Sequence, residues 1–297
     1  MKKQNIPFLL MLGMTSALLV GCELINPEEP VPAYIHIPSV SVQTDEAVEG
    51  TTSSNITEAW VSVNGDFVGA YSLPATLPVL AGGTAEVIVQ AGVKDNGLGS
   101  SPDIYPFFNN FEIQAELEPN TTDTILPVFQ YSNNTKFSIL EPFEEGAHVF
   151  EEIRRGSINQ MSQVTEGAFE GRSLRIKLDT ASAIIEAATT QRYANLTGNF
   201  TTSVYLEVDY KSDVPVTFGF IGHQAGGLPG AGEAIFLSGF NPSGEWKKIY
   251  FNLSVAVVES RLSEFQILFQ AALPVQGGQF VRDEAVIMMD NIKLLHF

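Results

Sequence analysis

Four histidines, His36, His148, His223 and His296, lie far apart along the chain, and neither a Gly-x-Ser-x-Gly elbow nor a His-Glu-x-x-His helix accompanies them. The adjacent Glu151 and Glu152 offer the two carboxylates that glycoside hydrolysis needs. Neighbours on a strand point to opposite faces, so this pair cannot converge on one bond. The glycine-rich Gly226–Gly232 run lacks the Lys-Ser/Thr and the following helix of a phosphate loop, and reads as a hairpin loop. Catalytic residues are therefore expected to be none. What remains is binding chemistry, since a pyranose ring presents apolar CH patches and many hydroxyls, which aromatic faces beside hydrogen-bonding side chains can hold. Tyr193, Tyr205, Tyr210, Phe218, His223 and Gln224, with Gln191 and Arg192 nearby, are of that type. Alternation puts Tyr205 on the same side as Glu207 and opposite Leu206 and Val208. That side is either a ligand-facing Tyr-Glu patch or ordinary core and surface. Trp60 and Trp246, the two tryptophans, sit where core residues are expected.

The elements that must carry these groups begin behind an export signal. Lys2 and Lys3 precede an apolar stretch from Ile6 to Val20, too short for the ~20 residues of a membrane-spanning helix. It ends at Leu19-Val20-Gly21-Cys22, and Cys22 is the chain's one cysteine. The run resembles the lipobox of bacterial lipoproteins. That resemblance implies cleavage after residue 21, acyl chains (palmitate among them) on Cys22, and attachment to a membrane without spanning it. Residues 22–32, with three prolines and three glutamates, read as a tether. Their acids resemble the signal that sends lipoproteins of the Bacteroidota to the cell-surface face of the outer membrane, with a periplasmic face as the alternative. Cleavage removes two lysines and no acid, leaving 14 basic and 34 acidic side chains and a formal charge of −20. Nucleic acid is excluded as a partner by that charge. With Cys22 acylated, disulfides, a cysteine nucleophile and thiolate metal sites are excluded as well.

From Ala33 onward short apolar–polar alternations separated by turn signals predict an all-β chain of two β-sandwiches. The first spans 33–131. Ala59–Val63 leads through Asn64-Gly65, suited to a type I′ turn, into Phe67–Tyr71, and strands are predicted at Ala85–Gln90, Phe111–Leu117 and Thr124–Tyr131. Trp60–Gly69, Leu73-Pro74 and Leu80–Val87 resemble the pattern of PEGA-like, Ig-like domains, which implies a sandwich that displays or spaces something without chemistry of its own. Its long 94–110 loop carries Tyr105, Phe107 and Phe108, either a partner-contact surface or a plug at one end of the sandwich.

After a linker at 132–136, residues 137–297 hold Phe143-Glu-Glu-Gly146, Phe169–Leu178, Gly244–Phe251 and Ile287–Leu294 in order. Together they resemble the galactose-binding-like jelly rolls that serve as carbohydrate-binding modules. The resemblance implies a turn at Gly171, Trp246 as a core anchor, and a structural Ca2+ held by Glu144 or Glu145 and Asp290, against the alternative of ordinary hydrogen-bonded carboxylates. Asp123-Thr124-Ile125 and Asp179-Thr180-Ala181 are similar to the short O-glycosylation motif of the Bacteroidota, which would place sugars on Thr124 and Thr180. The expected function is a non-enzymatic, lipid-anchored surface protein whose jelly roll recognises a glycan, requiring no cofactor. The alternative is an accessory docking subunit of an outer-membrane β-barrel complex for assembly, secretion or nutrient uptake, without sugar binding.

Overall fold

The computed structural model describes residues 31–196, 203–227 and 232–297. Cys22 and the signal segment lie outside them. The chain is all-β, two sandwiches in contact. In the first, the sheet Asp66–Ser72, Glu58–Val63, Gly83–Lys94, Pro102–Ile104 also takes Phe111–Leu117 against Gly83–Lys94. It packs on two smaller sheets, Ala75–Val79 with Ala33–Ile37 and Thr122–Thr124, and Val128–Phe129 with Ser41–Val42. Strict alternation drives this: Ile35, Val61, Leu77, Val87 and Val89 are buried while their strand neighbours are not. The predicted turn is present, with Asn64 at φ 51° and Gly65 at φ 86°, the positive values a type I′ hairpin requires.

The second sandwich has two six-stranded sheets. A junction sheet runs Met161–Val164, Ser173–Asp179, Glu284–His296, Val204–Ser212, Ser243–Asn252, with Lys136–Glu141 also on Glu284–His296. An outer sheet runs Glu152–Arg155, Ile184–Ala188, Glu264–Ala272, Val216–His223, Ala234–Phe240, with Tyr193–Ala194 also on Glu264–Ala272. Between them Leu206, Val208, Phe218, Phe220, Phe251, Ile267, Phe269 and Leu294 form the core.

The first sandwich sits on the far face of the junction sheet. Tyr105, Phe107 and Phe108 are buried there: Tyr105 and Phe107 meet Tyr205, Tyr105 also meets Tyr250 with ring centroids 5.0 Å apart, and Phe108 packs on Phe129 and Tyr131 behind them. The reading of this trio as a surface for an outside partner is therefore corrected: they plug the sandwich against its own neighbour. At ~25 cal/mol per Å2 and ~150–250 Å2 per ring, each contributes roughly 4–6 kcal/mol of burial. The 94–98 loop also closes the junction sheet's open edge. Asn96 N donates to Tyr250 O (2.8 Å) and Asn252 Nδ2 to Asp95 Oδ2 (2.7 Å), so Ser243–Asn252 does not present bare edge hydrogen bonds along that stretch.

Among these aromatics lies a charged cluster. Lys248 Nζ is 2.9 Å from Glu207 Oε2 and 3.7 Å from Asp209 Oδ2, and all three side chains are buried. The Tyr105 and Tyr131 hydroxyls donate to Glu207 Oε1, Ser53 Oγ donates to Asp209 Oδ1 (2.8 Å), and Lys293 Nζ donates to Thr51 O (2.9 Å). Burial alone would raise the pKa of Glu207, but the Lys248 and Lys293 ammoniums and the Tyr105 hydroxyl hold it below the ordinary value. Lys293 is pushed down to about 8, chiefly by burial.

Candidate binding face of the outer sheet

The first sandwich covers one face of the second, and this decides which predicted groups remain available. Tyr205 and Glu207 share a face, as alternation required, but that face is the junction. Tyr205 Oη donates to Asp95 Oδ2 (3.1 Å), and the ligand-facing Tyr-Glu patch is overturned. Tyr193 is also buried and packs in the core between the sheets. His223 is buried on the outer sheet's outward face, where its Nε2 lies 2.8 Å from Gln266 Oε1. Gln224 is exposed in the loop that follows. Of the five residues assigned to ligand, His223 and Gln224 are thus brought to one surface and the other three are not.

That outward face is built by period-2 alternation against the core. In Val216–His223, Val216, Phe218 and Phe220 point inward, leaving Thr217, Gly219, Ile221 and His223 outside. In Glu264–Ala272, inward Phe265, Ile267 and Phe269 leave Gln266, Leu268 and Gln270 outside. Cross-strand register then sets the rows. Glu186, Gln270 and Thr217 lie side by side, as do Ala188, Leu268, Gly219 and Phe236. Arg154 Nε donates to Glu186 Oε1 (2.9 Å) and Gln270 Nε2 to Glu186 Oε2 (2.8 Å), so the carboxylate is held from both sides. Gln266 Nε2 donates to Glu152 Oε2 (2.7 Å) and to Thr189 O. The small Ala188 and Gly219 lower the middle row, and Phe236, 37% exposed on the edge strand Ala234–Phe240, stands at its end.

Chemically this is two rows of locked amide, carboxylate and guanidinium groups, of which Arg154, Glu152 and Gln270 reach solvent while Ala188 and Leu268 between them are fully buried, with an exposed aromatic ring at the rim. These groups offer hydrogen-bond donors and acceptors and one stacking face. Among the described residues no side chain on this face combines a nucleophile with a base in contact. Arg154, Glu186, Gln266 and Gln270 were absent from the sequence reading. The signal that could have found them is the placing of charged and amide residues on the same parity as Ala188 and Leu268 in strands whose other parity is fully apolar.

The carboxylates assigned to calcium do not fit the ion. Glu144 Oε1 accepts from Arg172 N (2.8 Å), Asp290 Oδ2 from Ser173 Oγ (2.6 Å) and Asp290 Oδ1 from Asn291 N (2.8 Å). Glu145 is exposed. These bonds shape the turn at Gly171, where φ is +40° and a Cβ would run into the Glu144 carboxylate. Burial raises Asp290 to about 7, against the lowering effect of the hydrogen bonds it accepts from Ser173 and Asn291. Among the described residues no group of three or more His, Cys, Asp or Glu side chains is placed to hold a metal. Trp246 is not a core anchor: it is only half-buried, on the junction sheet's outward side. Trp60 is half-buried beside exposed Phe67. Thr124 and Thr180 are exposed. No described helix is long and apolar enough to cross a membrane.

No family model matches the chain, and no curated protein matches it. Solved structures similar to it include a family 29 carbohydrate-binding module complexed with cellulohexaose, 15% identical, covering 56% of this chain and 92% of that one, with a TM-score of 0.33. Another of the same family, complexed with mannohexaose, is 16% identical over 55% and 92%, TM-score 0.32. A third, TmCBM61 in complex with β-1,4-galactotriose, is 16% identical over 52% and 93%, TM-score 0.32.

Proposed function

We propose that this protein is a non-enzymatic, lipid-anchored protein of the outer membrane, cell-surface facing, that binds a glycan on the outer sheet of its second sandwich. The observation that carries this is the Arg154–Glu186–Gln270 row, whose guanidinium and amide reach solvent, near the exposed Phe236 rim. Polar groups fixed by one another before the ligand arrives lose little entropy on binding hydroxyls, and an exposed ring receives the apolar face of a sugar. Attachment rests on Leu19-Val20-Gly21-Cys22 and the acyl chains it implies. Affinity electrophoresis of the full chain through soluble β-glucan, β-mannan and β-galactan tests the reading: at least one polysaccharide retards the protein, and Phe236→Ala reduces the retardation about tenfold in affinity. No retardation in any of the three, or retardation indifferent to Phe236→Ala and Arg154→Ala, overturns it.

One observation favours a docking role instead. Ile235, Phe236 and Leu237 are consecutive, each more than a third exposed, on an edge strand of the outer sheet, and such an edge accepts a strand from another chain. Recovery of a stoichiometric β-barrel partner from detergent-solubilised membranes, lost in Leu237→Lys, would establish that reading.

A further inference from the structure

A cavity of about 590 Å3 opens where the two sandwiches meet, on the side away from the outer sheet. Its volume lies within the ~300–1,000 Å3 of small-ligand clefts. One wall is the segment of the first sandwich that carries Ser53, Asn55 and Thr57. The other is the edge of the junction sheet, with Trp246 and Lys247, and Phe169 from the loop before Ser173. Trp246 is clamped, its Nε1 donating to Gly167 O (3.1 Å) and its ring meeting Phe169 edge-on at 5.5 Å and 71°. With its edge fixed in this way, the half-exposed ring is a ready stacking surface.

The charge balance decides what kind of ligand fits. Asp209 lines the cleft, but its carboxylate is already bonded by Ser53 Oγ and Asn291 Nδ2 and faces Lys248. Lys94, also at the cleft, faces Glu58 at 3.9 Å. Lys247 at the rim is the remaining cation. Among the described lining residues a cation therefore finds no uncommitted carboxylate, and the Lys247 ammonium is the charge offered to a ligand. Ser53 and Thr57 donate their hydroxyl protons inward, to Asp209 and to Glu58 Oε2 (2.6 Å), which leaves their oxygen lone pairs as acceptors. Lys247 supplies donors. Hydroxyl groups, which both give and accept, complement that arrangement, and the apolar face of a ring complements Trp246.

We infer that this inter-sandwich cleft is a second saccharide site, taking a neutral pyranose ring stacked on Trp246, separate from the outer-sheet face. It shares with the proposed function only the ligand class, and it exists only when both sandwiches are seated, since each supplies a wall.

The chain's two tryptophans make the site readable. In the full chain carrying Trp60→Phe, Trp246 is the sole tryptophan, and titration with cello-, manno- and galacto-oligosaccharides is expected to change its emission saturably for at least one of them. Phe236→Ala in that background leaves the titration unchanged, and Trp246→Ala in the native background lowers the calorimetric stoichiometry from two to one. Should an oligosaccharide bind without moving Trp246 emission, or should Phe236→Ala abolish every binding event, the cleft is not a site while the outer-sheet reading stands. Should Trp246 respond while the calorimetric stoichiometry is one and falls to zero in Trp246→Ala, the cleft stands and the outer-sheet reading falls. Binding of none of the three probes overturns both.

Discussion

Glu207→Gln is the sharpest perturbation of the junction, because it removes one charge and leaves the side chain's shape nearly intact. Glu207 is fully buried and lies 2.9 Å from Lys248 Nζ, itself buried. At an effective dielectric of ~20 the lost attraction is about 6 kcal/mol. Two terms reduce that figure. Lys248 keeps Asp209 at 3.7 Å, and the neutral amide no longer bears the cost of desolvating a carboxylate. Losing one member of a buried pair leaves about 3–5 kcal/mol of destabilisation. Equilibrium urea unfolding followed by tryptophan emission measures it directly. The loss should persist in 1 M salt, since buried pairs are poorly screened. A loss under about 1 kcal/mol, or one that high salt erases, would mean the cluster is solvated and the junction is not held as described.

Tyr105→Phe removes one of the two hydroxyls on Glu207 and is expected to cost about 1.5–3 kcal/mol, the range for a hydrogen bond to a charged group, in the same unfolding assay. Asp290, raised to about 7 in the fold from an ordinary 3.8, binds its proton more tightly when folded; its contribution is complete below pH ~4 and lost as pH rises through 7, up to about 4 kcal/mol. Subtracting the stability curve of Asp290→Asn from the native one should reveal that fall between pH 4 and 7, and a flat difference would refute it. Gly171→Ala combines a strained φ of +40° with a clash on Glu144 and should lower the melting temperature by several degrees in calorimetry. Cys22→Ser should move the protein from the membrane to the soluble fraction on ultracentrifugation, and retention would remove the lipid anchor.

Local physics was legible in the chain and tertiary cover was not. The strand Phe111–Leu117 and the Asn64-Gly65 turn were readable because alternation and positive φ are properties of a few consecutive residues. Parity was equally readable: Tyr205 and Glu207 do share a face opposite Leu206 and Val208. What parity cannot report is the layer that covers a face. Here it is Tyr105 and Tyr131, which lie 102 and 76 residues before Glu207, and so the sequence left a ligand-facing patch and ordinary core as open alternatives. Trp246 failed in the opposite sense, since a tryptophan near a strand's start suggests core, yet its parity matches Lys248 and Tyr250 rather than the inward Ile249 and Phe251.

The composition of the junction bears on what it is for. Two carboxylates and two lysines placed among Tyr105, Tyr131, Tyr205 and Tyr250 are a costly way to fasten two sandwiches, because apolar side chains of similar volume often hold as well or better. Such a cluster is more demanding of geometry than of area: Glu207 must meet two hydroxyls and an ammonium at once, and Asp209 must meet Ser53, Asn291 and Lys248. A small rotation of one sandwich on the other would strand several buried charges together, whereas a greasy interface would tolerate it. The cleft beside Trp246 needs that intolerance, since Ser53 and Thr57 come from one sandwich and the ring from the other. In this arrangement the buried charges set the register of the two bodies, and the register sets the width of the site.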